Sequence, residues 1–72
     1  MIKFDIGVNA GIIWHLLSEK GALTTHQLGK LTGFERQELM LALGWLSRES
    51  KVDFSQHGED LQVALSNSSF YF

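Results

Sequence analysis

Residues 24–39 run Thr24-Thr25-His26-Gln27-Leu28-Gly29-Lys30-Leu31-Thr32-Gly33-Phe34-Glu35-Arg36-Gln37-Glu38-Leu39. Two helices that cross at a tight turn need a small residue at the crossing. They also need a turn residue that accepts a left-handed backbone, and a large apolar residue that locks the second helix onto the first. Leu28-Gly29 supplies the apolar and small positions, Gly33 supplies the turn, and Phe34 and Leu39 follow as the lock. Thr24 and Gln27 have the spacing of a capping box, in which the hydroxyl accepts from the Gln27 backbone and the amide side chain reaches back. The stretch predicts a short helix from about Thr25 to Thr32 and a second from about Glu35 to Ser50.

Periodicity extends the reading outward. In the later helix Leu39, Ala42, Leu43 and Leu46 form one apolar stripe, and Gln37, Leu41, Gly44, Trp45 and Arg48 lie opposite. Upstream, Ile6, Ala10, Ile13 and Leu17 share a helical face, which predicts a helix from about Ile6 to Lys20. Asp5 suits its N-cap, Lys20 its last turn and Gly21 a left-handed residue after it. Ala22 and Leu23 form a short extended link. After Lys51 the period becomes two: Val52 and Phe54, then Leu61, Val63 and Leu65, alternate with polar or small residues as half-buried strands do. Gln56-His57-Gly58-Glu59-Asp60 reads as the turn between them, with Gly58 at positive φ. The order helix, short strand, helix, helix, strand, strand is a winged helix-turn-helix, mostly α, with a small antiparallel hairpin as the wing.

Composition bounds the possibilities. The 72 residues hold one domain, with a core over residues 6–65 and a tail over 66–72. A chain this short buries only about 60% of the surface its unfolded form exposes, so reinforcement is expected. Cysteine is absent and the three histidines (His15, His26, His57) are scattered, which removes disulfides and thiolate zinc sites and leaves oligomerisation. No apolar run approaches the roughly 20 residues of a membrane span, and the N-terminus lacks a signal-peptide layout, so the expected location is the cytoplasm. There is no nucleophile elbow, glycine-rich phosphate loop or metalloprotease helix; the expectation is a binding module, not an enzyme, with no cofactor and no metal.

Two tryptophan-centred segments carry a family likeness: Asn9-Ala10-Gly11-Ile12-Ile13-Trp14-His15-Leu16-Leu17 and Leu41-Ala42-Leu43-Gly44-Trp45-Leu46-Ser47-Arg48-Glu49, with Leu28 and Thr32-Gly33 between them. Over about Ile6 to Leu65 the chain resembles a family of small bacterial and archaeal winged helix-turn-helix proteins classed as a domain of unknown function. The resemblance implies the winged-helix fold and a homodimer. It brings no operator, substrate or ligand.

Two functions follow from the residues. In the first, a DNA-binding, transcription-regulator-like homodimer, the third helix enters the major groove. Arg36 matches guanine and Gln37 adenine, with Arg48 further along. Lys30, Lys51 and Thr25 at a helix N-terminus hold phosphates. The net charge of −2, Glu35 and Glu38 beside Arg36, and Glu59-Asp60 at the wing tip oppose this reading. The second is a protein–protein interaction module that does not bind DNA. Its contact residues are Trp14, Leu41, Trp45 and the tail's Phe70, Tyr71 and Phe72, the same residues expected to be buried by a second copy.

Overall fold

A computed structural model describes residues 5–66. The elements are α1 (Ile6–Lys20), β1 (Leu23–Thr24), α2 (Thr25–Thr32), α3 (Arg36–Arg48), β2 (Val52–His57) and β3 (Asp60–Leu65). The three strands form one antiparallel sheet in the order β1-β3-β2. The winged helix-turn-helix expected from the sequence is the fold observed, and β1 adds a third strand to the hairpin sheet.

Local chemistry sets the helix ends. The Asp5 carboxylate accepts from the Val8 amide at 3.1 Å and caps α1. At α2, the Gln27 amide donates to the Thr24 hydroxyl at 3.1 Å, and the Thr24 amide donates to Oε1 of Gln27 at 2.8 Å, completing the capping box. Gly33 takes the left-handed conformation, φ 73°, that turns the chain from α2 into α3. Gly21 also has positive φ, but its ψ of −159° lies outside the left-handed helical well, so it leads straight into β1.

The core lies where the three helices meet the base of the sheet. Ile13 of α1, Leu28 of α2 and Val63 of β3 are its fully enclosed large side chains. Ala10, Leu17, Leu39, Ala42, Leu43, Leu46 and Val52 surround them. The predicted stripe of α3 is buried as expected. On α1, Asn9 is buried and Ile6 only half-buried, which shifts the inward face by one position at the first turn.

Other details differ from the sequence reading. α3 ends at Arg48 rather than Ser50, because Glu49, Ser50 and Lys51 form its terminating motif. The Ser50 amide donates to the Ser47 carbonyl at 3.0 Å and the Lys51 amide to the Leu46 carbonyl at 2.9 Å. These bonds make a Schellman cap with Ser50, at φ 57°, in the place glycine usually takes. The wing turn is tighter than five residues: His57 pairs with Asp60 and only Gly58-Glu59 connect them, with Gly58 at φ 63°. Phe54 on the edge strand and Leu61 near the wing tip are exposed rather than half-buried.

Candidate nucleic-acid interface

A groove runs between α2, the start of α3 and the wing. Thr25, His26, Gly29 and Lys30 line it from α2. Phe34, Arg36, Leu39 and Met40 line it from the turn and α3, and Glu59, Asp60 and Leu61 line it from the wing. Of the six expected DNA contacts, the fold brings Thr25, Lys30 and Arg36 to this one groove. Gln37 is exposed beside Arg36 in the first turn of α3. Arg48 is at the other end of the helix, about 18 Å away along the axis at 1.5 Å per residue. Lys51 lies beyond it at the base of the wing, so these two do not share the groove with Arg36.

The carboxylates around Arg36 have structural work. Glu38 reaches back to accept from the Glu35 amide at 3.1 Å, capping α3. The sequence pattern Glu-x-x-Glu lacks the Ser or Thr that usually marks such a box. Glu35 and Glu38 thus begin the helix that presents Arg36, as well as placing negative charge near it.

Asp60 anchors the wing tip. Its carboxylate accepts the hydroxyl proton of Thr25, and also accepts from the backbone amides of Leu61 at 2.9 Å and His26 at 3.4 Å. The Thr25 hydroxyl bond, foremost, and the two amides hold the Asp60 carboxyl below the usual carboxylate range, against a smaller opposing effect of desolvation. The start of α2 was expected to offer Thr25 to a phosphate. In the structure its hydroxyl is donated to a carboxylate from the protein itself. The contact spans 35 positions, and no local pattern announces it.

The expected interface residues separate. Trp14 is half-buried and packs against the core. Leu41 and Trp45, one helical turn apart on α3, remain 45% and 47% exposed. Phe70, Tyr71 and Phe72 lie outside the described residues. His15 is exposed on α1 with Nε2 at 3.7 Å from Oε1 of Glu19, a solvated pair of little energetic weight. Met40 is exposed and lines the groove.

Three helices with a hairpin wing, and the start of α3 turned into the groove between α2 and that wing, define a winged helix-turn-helix domain. Within that class the chain belongs to the winged helix-turn-helix domain family DUF2582, whose model matches residues 1–65. Among solved structures, the chain is similar to protein BT2368 from Bacteroides thetaiotaomicron, determined in solution by NMR. The TM-score is 0.78 at 29% identity, over 93% of this chain and 83% of that one. It is also similar in fold to the transcriptional regulator PA4135, with TM-score 0.76 at 17% identity over 85% of this chain. The match covers 47% of PA4135, so this chain spans about half that regulator's length. No curated protein matches the chain. Among the described residues, no helix is long and apolar enough to cross a membrane.

Proposed function

We propose that this chain is a single winged-helix domain that binds double-stranded DNA as a homodimer, a transcription-regulator-like module and not an enzyme, acting in the cytoplasm. The observation that carries the reading is the convergence of Lys30 and Arg36 on the groove that the start of α3 shares with the wing. A helix-turn-helix enters the major groove with the first residues of its second helix, which here are Arg36 and Gln37. Arg36 has the fork that matches guanine, Gln37 the amide that matches adenine, and Lys30 the point charge that holds a phosphate. Asp60 lies nearby, but its carboxylate is engaged by Thr25 and two amides. The test is fluorescence anisotropy of a labelled mixed-sequence duplex at low and near-physiological salt. Binding falls steeply with salt, and Lys30→Ala lowers that salt dependence. Absence of binding at low salt rejects the reading.

A second reading is favoured by one specific observation. Leu41 and Trp45 leave an exposed apolar pair on the helix that would read DNA. Large apolar groups in that position suit a protein contact. In that case Trp45→Ala disrupts a protein complex and leaves any duplex binding unchanged.

A further inference from the structure

Among the described residues β2 is an outer strand of the sheet, the longer of its two edge strands, and five of its six residues are exposed. It pairs one-to-one with β3 from Val52↔Leu65 to His57↔Asp60, so no bulge turns the edge away. Residues 52–57 contain no proline and no lysine. Bulges, prolines and lysines are among the devices that stop an edge strand from pairing with another chain, and Asp53 is the one carboxylate on this edge. The phase of the ladder follows from the hairpin. In a two-residue hairpin the closing pair, here His57 and Asp60, exchanges hydrogen bonds, and bonded pairs then alternate. The Ser66 amide donates to the Lys51 carbonyl at 3.0 Å, in the same phase at the other end. Phe54 and Gln56 therefore direct their backbone groups away from β3. Phe54 also remains 41% exposed, although its pairing partner Val63 is fully buried on the same face.

This edge is complementary to itself when a second copy runs antiparallel to it about Ser55. Asp53 then lies opposite His57 of the second copy, a pair that occurs twice by symmetry. Phe54 and Gln56 meet at the positions that exchange hydrogen bonds. The neighbouring registers lose this match. Centring on Phe54 sets Lys51 against His57, and centring on Asp53 sets that carboxylate against itself.

We propose that the edge of β2 is the seam of the homodimer, two copies pairing antiparallel about Ser55 into one six-stranded sheet. The proposal rests on the homodimer reading above and assigns its surface. The seam is isologous, so it closes at two copies. Leu41 and Trp45 stand outside the seam.

Sedimentation equilibrium of the full chain at micromolar concentrations tests the seam. The wild type sediments as two copies. Asp53→Lys sets cation against imidazole and weakens dimerisation at least tenfold, and the double change Asp53→Lys with His57→Asp restores it by exchanging the pair. Both side chains are exposed, so the far-ultraviolet circular dichroism of each variant matches the wild type. A dimer that tolerates Asp53→Lys, or one that the double change fails to restore, overturns the seam and leaves the homodimer reading standing. A wild type that sediments as one copy overturns both.

Discussion

The hydroxyl of Thr25, the first residue of α2, donates to the carboxylate of Asp60, the first residue of β3, joining the wing to the helix-turn-helix across 35 positions. This bond, with the amides of His26 and Leu61, fixes where the wing stands relative to the groove that holds Lys30 and Arg36.

The Asp60 clasp gives stability a specific acid dependence. The folded state holds the Asp60 carboxyl below its ordinary value of 3.8. Its contribution is therefore complete above that value and is lost as pH falls through the lower, folded one. Urea unfolding of Asp60→Asn, compared with wild type, shows a smaller loss of stability between neutral pH and about pH 3. An identical acid dependence in both proteins contradicts the clasp.

The core and the outer face of α2 respond differently to truncation. Leu28 is fully enclosed, whereas Leu31 is half exposed. Leu28→Ala costs about 2–5 kcal/mol, enough to unfold much of a domain this small. Leu31→Ala stays within about 0.5 kcal/mol. The urea midpoints of the two variants measure the contrast.

Ser50 offers a stabilising change. It holds a left-handed conformation, φ 57°, in the cap of α3, where a side chain costs about 1–2 kcal/mol relative to glycine. Part of that gain is lost to the greater freedom of glycine in the unfolded chain. Ser50→Gly raises stability by roughly 0.5–1 kcal/mol, which appears as a Tm several degrees higher.

The two ends of α3 differ in their effect on duplex binding. Arg36 lines the groove and Arg48 does not. Arg36→Ala weakens binding about ten- to a hundredfold, the range for losing a base-reading arginine. Arg48→Ala changes it less than about twofold, within the scatter of an arginine outside the contact face. Anisotropy titrations of both variants against one duplex compare them directly.

The extent to which sequence revealed this structure follows from the range of each interaction. α1 and α2 have the boundaries their letters predict, because Asp5, the Thr24–Gln27 box and Gly33 act within one helical turn. The end of α3 was misplaced because serine, not glycine, occupies the left-handed position of its cap. Glu35 and Glu38 read as charges that repel DNA, and the structure shows Glu38 capping the helix that carries Arg36. Alternation placed Phe54 and Leu61 inward, yet Phe54 lies on an edge strand beside the covered Val63, and Leu61 lies one step closer to the wing tip than Val63. The groove joins residues of α2, α3 and the wing, and Asp60's part in it depends on a contact that no local periodicity encodes.

The most direct test of the central claim is a titration of the nitrogen-15-labelled chain with a mixed-sequence duplex at low salt, followed by amide chemical shifts. The account predicts that the largest shifts fall on Lys30, Arg36 and Gln37 and fade as salt is raised. Unmoved amides at low salt, or shifts confined to the surroundings of Leu41 and Trp45, contradict it.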